Sequence, residues 1–213
     1  MRTLLLLVGV AVVSGRPVET LDVTVTEGTS MSVTASPDGR TLAIDLQGSI
    51  YTLSASGGTA TRITDLFNDA RHPAWSPDGK WIAFQGYRDG AFHIWAIAPD
   101  GRNQHMLTTG TYDDREPAWS HDGTRVAFAS DRMPDSGPGA PGVVGNYNIW
   151  LLDARTGALQ QITKDPADDF MPTWSPSDDQ IAFISTRAGG QTVWAITLSS
   201  SAERQVSPAG VRA

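Results

Sequence analysis

The chain of 213 residues contains no cysteine. That absence excludes disulfides, thiolate nucleophiles and cysteine-ligated zinc together, so any fold must be held by packing and hydrogen bonds. Positive charge is also scarce: 16 Lys and Arg stand against 23 Asp and Glu, giving a net charge of −7 and a sequence pI near 4.9. Such a balance argues against broad attraction to phosphate backbones or anionic lipid, and nucleic acid is not expected as a partner. Apolar runs are short. The longest, Leu4 to Val13, covers about half of what a bilayer-spanning helix requires, so stable membrane insertion is not expected. Catalytic signatures are missing too: there is no Gly-x-Ser-x-Gly elbow, no His-Glu-x-x-His, no His-x-His pair, no Gly-rich phosphate loop and no EF-hand loop.

What is present begins with an address. Arg2, the apolar run Leu4 to Val13 and the small residues of Val13-Ser14-Gly15 form the pattern of a signal peptide over residues 1–15. This predicts export to a bacterial periplasm or cell exterior. Residues 16–29 then form a leading segment. In it Val23-Thr24-Val25-Thr26 alternates like a strand and is suited to closing a ring. Glycine (21), proline (13) and tryptophan (7) are plentiful beside 40% hydrophobic content, the composition of short strands joined by tight turns around a real core.

The dominant feature is a repeated phrase. Turns at Ser36-Pro37-Asp38-Gly39, Ser76-Pro77-Asp78-Gly79, Ser120-His121-Asp122-Gly123 and the degenerate Ser175-Pro176-Ser177-Asp178 are spaced by 40, 44 and 55 residues. A Trp precedes three of them (Trp75, Trp119, Trp174). Each is followed by an apolar strand, of which Ile82-Ala83-Phe84 is typical, then by a pair such as Ile94-Trp95 and a closing pair such as Leu107-Thr108. Four strands per unit of about 40–45 residues is the signature of propeller blades, which must stack because both sheet faces are apolar. The prediction is an all-β chain: a β-propeller of four-stranded antiparallel blades, four of them over residues 30–213 (about 30–64, 70–108, 114–163 and 169–207), forming a partial ring. The three Trp residues are assigned to the seams between blades. The four histidines, His72, His93, His105 and His121, fall in different columns of the repeat, so no metal site and no cofactor is expected.

The phrase Pro73-Ala74-Trp75-Ser76-Pro77-Asp78-Gly79-Lys80, with Ile82-Ala83-Phe84, an Arg four residues later, Ile94-Trp95 and Leu107-Thr108, resembles the TolB-type β-propeller repeat, and the likeness runs over residues 30–207. Such repeats belong to the periplasmic TolB component of the Tol-Pal system, and to the N-terminal propellers of exported amidohydrolases and of prolyl-oligopeptidase-type or tricorn-type peptidases. The stretch Val23 to Leu53 is most similar to the propeller preceding an amidohydrolase domain. The resemblance therefore implies either a non-catalytic module binding a protein, a peptide or an attached domain, or the N-terminal propeller of a hydrolase whose catalytic domain lies downstream, an amidohydrolase before a serine peptidase. Members usually carry six or more blades; four here suggests a truncated chain.

The register of the repeat also yields one constellation. Asp69, Asp113 and Asp168 each stand four residues before the Pro of the inner strand, and Arg88, Arg132 and Arg187 each stand four after the aromatic of the second strand. In an antiparallel blade both columns emerge on one rim, opposite the Ser-Pro-Asp-Gly turns. Two readings stay open. Either each Asp pairs with an Arg to fix the loops, or the carboxylates, with Asp114, Glu116 and Asp169, bind a cation or a basic segment. Tyr112 and Phe170 add aromatic surface to the same rim. The Gly- and Pro-rich segment Met133 to Asn148 is expected there as an inserted loop.

Overall fold

Ile82-Ala83-Phe84 alternates large and small side chains, and in an extended chain successive side chains point to opposite faces of the sheet. The computed structural model describes residues 31–65, 68–133 and 145–208 and shows where those faces go. The signal peptide, the leading segment with Val23–Thr26, and most of the Met133–Asn148 insertion lie outside the described residues.

Four antiparallel sheets follow one another, each with its strands in chain order. The first blade holds β1 (Val33–Ala35), β2 (Thr41–Leu46), β3 (Ser49–Ser54) and β4 (Thr61–Arg62). The second holds β5 (Arg71–Trp75), β6 (Ile82–Arg88), β7 (Ala91–Ile97) and β8 (His105–Met106). The third holds β9 (Asp114–Trp119), β10 (Arg125–Ser130), β11 (Asn148–Asp153) and β12 (Leu159–Gln161). The fourth holds β13 (Asp169–Trp174), β14 (Gln180–Ser185), β15 (Thr192–Thr197) and β16 (Ala202–Gln205). Each sheet packs on the next, and the first strands β1, β5, β9 and β13 touch in succession. The result is a partial β-propeller of four blades with these strands innermost, as the repeat predicts.

The large–small alternation builds the seams. Ile82 and Phe84 lie in a cluster with Ala43 and Ile50 of the first blade, whereas Ala83 between them faces the third blade's Val126 and Phe128. One blade later, Ala127 and Ala129 receive Ile181 and Phe183. The second, third and fourth blades thus present Phe backward, and the first three present Ala forward, so a bulky residue meets a small one across each seam about one sheet spacing wide. The tryptophans stand where the sequence assigned them: Trp75, Trp119 and Trp174 pack in the first, second and third seams. Trp174 also donates its indole N–H to the carbonyl of Ala118 across the seam at 3.0 Å.

Closing residues lock the outer strands. Thr64, Thr108, Thr163 and Ser207 each offer a hydroxyl oxygen to the N–H of Ile50, Ile94, Ile149 and Val193, at 2.8–2.9 Å. The sequence placed these residues inside the fourth strand. In the structure that strand has already ended, and the side chain replaces the ladder bond that the backbone no longer makes.

Neighbouring turns also touch on the rim of the Ser-Pro-Asp-Gly motifs. A Cβ added to Gly79 would lie 3.7 Å from Cδ of Pro37, and one on Gly123 would lie 3.0 Å from Cγ of Pro77. Both glycines have φ near +70°, a conformation that side chains disfavour in any case. At the third seam both partners change together. His121 replaces the Pro, Asp178 replaces the Gly with φ +55°, and the Asp178 carboxylate accepts the N–H groups of His121 and Asp122 as well as bonding His121 Nδ1.

Candidate functional site: the rim opposite the repeated turns

On the turn rim, chemistry is spent locally. Asp38, Asp78 and Asp122 each accept the hydroxyl of the Ser two residues earlier and the N–H two residues later. Those bonds, the serine's above all, hold the three carboxyls below their ordinary range, Asp122 at about 2. A depressed carboxylate stabilises the fold above its unfolded pKa of about 4 and loses that contribution as pH falls through the folded value. Asp122→Asn is therefore expected to lower the thermal midpoint at pH 7 and to converge with the parent chain by about pH 2. Midpoints measured by circular dichroism across that range would check this, and a constant offset would refute it.

The opposite rim is less uniform. The Asp and Arg columns do not pair with each other as the structural reading of the sequence expected; the pairs are displaced by one residue. Arg132 donates Nη2–H to Asp114 at 2.5 Å, with side-chain exposures of 8% and 0%. Its Nε–H goes to Ser130 Oγ at 2.9 Å, and its guanidinium lies near the rings of Trp150 and Tyr112. The fourth blade repeats this with Arg187, Asp169 and Ser185, the guanidinium stacking on Trp194 and also pairing with Glu203. Burial pushes the Asp169 carboxyl up, against the opposing bonds from Ser185, Thr163 and Arg187. In the second blade the corresponding residues are Ala70, Gly86 and Arg88, and Arg88 lies exposed, with Trp95 as its ring neighbour. Ser130 and Ser185 were not identified from sequence, although their presence only in the two blades that carry the second Asp was the available signal.

The column aspartates act across seams instead. Asp113 Oδ1 accepts the N–H of Phe92 in the second blade at 2.8 Å, and Asp168 Oδ1 accepts the N–H of Tyr147 in the third at 3.1 Å. Asp113 Oδ2 takes Nη2–H of Arg115 at 2.7 Å and the Tyr147 hydroxyl at 3.3 Å. Burial first, together with the neighbouring Asp113 and Asp131 charges, pushes the Tyr147 phenol well above its ordinary range. Asp69 meets Gly48, the first-blade counterpart of Phe92 and Tyr147, and pairs with exposed Arg71.

One seam is open. The inner strands β5, β9 and β13 carry a bulge at His72, Glu116 and Met171, with φ between +52° and +57°. At the first two seams a side chain of the preceding blade bonds the bulge N–H: Asp45 takes that of His72 at 2.8 Å and Gln85 that of Glu116 at 3.0 Å. The third-blade counterpart is Ala129, which cannot reach. Glu116 bends across instead and accepts the N–H of Met171 at 2.6 Å. The space left is a cleft of about 240 Å³ lined by Arg115, Glu116, Ala129, Tyr147, Asp168 and Phe170.

The model of the TolB beta propeller domain matches residues 17–131. The chain belongs to the TolB β-propeller family. An uncharacterized protein of Agrobacterium fabrum, Atu1656, is 32% identical over 155 residues, which are 70% of this chain and 49% of that protein. A TolB homolog of Chlorobium chlorochromatii is 27% identical over 140 residues, covering 65% of this chain and 28% of the relative. A solved structure from Agrobacterium tumefaciens, described as TolB, superposes with a TM-score of 0.70 at 27% identity over 80% of this chain and 62% of the other. This TolB-type chain thus spans about half the length of the first curated relative and under a third of the second. Among its described residues no helix is long and apolar enough to cross a membrane.

Proposed function

We propose that this TolB-type propeller is a non-catalytic binding module of the bacterial periplasm or cell exterior, contacting a protein or peptide through the rim that carries Asp113, Asp168, Tyr147 and Phe170. The observation that supports this most is the contrast between rims. Hydrogen bonds of the Ser-Pro-Asp-Gly turns are consumed within or between the turns themselves. The other rim holds the open third seam, and the Met133–Asn148 insertion enters and leaves there. Variation carried on a rigid scaffold is where specificity sits. Attachment to a hydrolase domain in a longer protein is compatible with the same rim, which would then face that domain.

A photo-crosslinking residue placed at Phe170, compared with one at Ser177 on the turn rim, tests the reading in the producing cell. Adducts to a protein or to an attached domain from position 170 and not from 177 are expected; the reverse pattern would overturn it. The purified chain is expected to turn over no amide, ester or peptide substrate. Activity abolished by a substitution within this chain would show that the module is catalytic.

A further inference from the structure

The third-seam cleft has a chemistry of its own. Two carboxylates line it, and each has one oxygen engaged: Glu116 Oε2 with the Met171 N–H and Asp168 Oδ1 with the Tyr147 N–H. The second oxygen of each has no hydrogen-bond partner among the described residues. Tyr147 and Phe170 supply aromatic surface, and Ala129 supplies an apolar floor. Arg115, the cation of the lining, is already paired with Asp113, and its guanidinium stands 4.6 Å from the Phe92 ring centroid and 5.5 Å from that of Tyr147. An anion entering here would face two carboxylates and a neutralised guanidinium. A bare metal ion would need three or more ligating groups, and among the described residues no three acidic or histidine side chains come together for one. What fits is a cation with an organic body: several N–H donors for two carboxylate oxygens, and a surface for the rings to cover.

We propose that the cleft between the third and fourth blades receives the lysine or arginine side chain of a bound peptide segment. The proposal rests on the binding role of this rim and names what that rim selects. It also explains the exchange at position 129. Asp45 and Gln85 bridge the first two seams on this rim, and where Ala129 stands a side chain from outside takes the vacant place. The internal repeat therefore supplies its own control, because Ala129→Gln installs the residue that the second blade already uses at the corresponding site.

The test is an NMR titration of the full chain with capped Gly-Gly-X-Gly-Gly peptides, X being Lys, Arg, norleucine or Glu, followed through the amide signals of Tyr147, Phe170 and Met171. Lys and Arg peptides are expected to shift these signals and to bind at least tenfold more tightly than the norleucine peptide. Glu116→Gln keeps an acceptor for the Met171 N–H and is expected to weaken Lys binding at least tenfold. Ala129→Gln is expected to abolish it at an unchanged or raised thermal midpoint. Equal binding of norleucine and Lys, preference for Glu, or Lys binding unaffected by Ala129→Gln would each overturn the proposal. Failure here with crosslinking from position 170 intact would remove the cleft's role and leave the rim reading standing. Loss of crosslinking as well would remove both.

Discussion

Arg132→Ala is expected to cost about 3–5 kcal/mol of folding stability, because it strands the Asp114 carboxylate in a site with 0% side-chain exposure. Asp114 has one oxygen already without a hydrogen-bond partner, so the lost guanidinium is its principal compensation. Burial first, and then the neighbouring Asp113 and Asp114 charges, push the Asp131 carboxyl up, so removing the cation leaves Asp114 beside a second buried acidic group. The reverse substitution should be far milder. Ala70 and Arg88 of the second blade show the arrangement that Asp114→Ala would create, with the arginine turned out to solvent beside its tryptophan. Chemical denaturation of the two single variants and of the double variant would measure the asymmetry. Equal losses from both single changes would refute the asymmetry, and a double variant no more stable than Arg132→Ala would mean that the arginine's packing, not the carboxylate's isolation, carries the effect.

Phe128→Ala should cost a similar amount, about 3–5 kcal/mol, by a different route. Phe128 is fully buried and projects into the second seam, in a cluster with Ala83 and Ile94 of the second blade. The seam joins two blades, so the loss should appear in cooperativity as well as in the midpoint, with the first two blades and the last two separating into distinct transitions. Phe128→Leu, which keeps most of the volume, is expected to retain a single transition. Calorimetry of both variants provides the check. A single sharp transition in Phe128→Ala at the parent temperature would show that the seam contributes little to coupling.

Much of the architecture was legible because the repeat is its own alignment. Trp75, Trp119 and Trp174, the Ile-Ala-Phe pattern and the turn residues recur at one register, and period-two alternation converts that register directly into seam positions. Side-chain partners were less legible. Counting placed Asp113 and Asp168 opposite the arginine column, but a bulge in β9 and in β13 shifts the pairing, so that Asp114 and Asp169 take the arginines while their neighbours bond the preceding blade. The cleft escaped sequence reading for another reason. Ala129 is an unremarkable residue, and its importance appears only when Asp45 and Gln85 are seen bridging the other two seams.

The turn contacts give the blades an order. Pro37 against Gly79 and Pro77 against Gly123 are interchangeable joints, since either proline would suit either glycine. His121 with Asp178 is not interchangeable with them: a glycine in place of Asp178 would leave two backbone N–H groups and an imidazole nitrogen without their carboxylate. Similar repeats within one chain risk docking on the wrong neighbour as they fold. A third blade that stacked on a copy of the first or second would meet glycine and forfeit those three bonds, so the chain carries at this joint a private mark by which blade three recognises blade four.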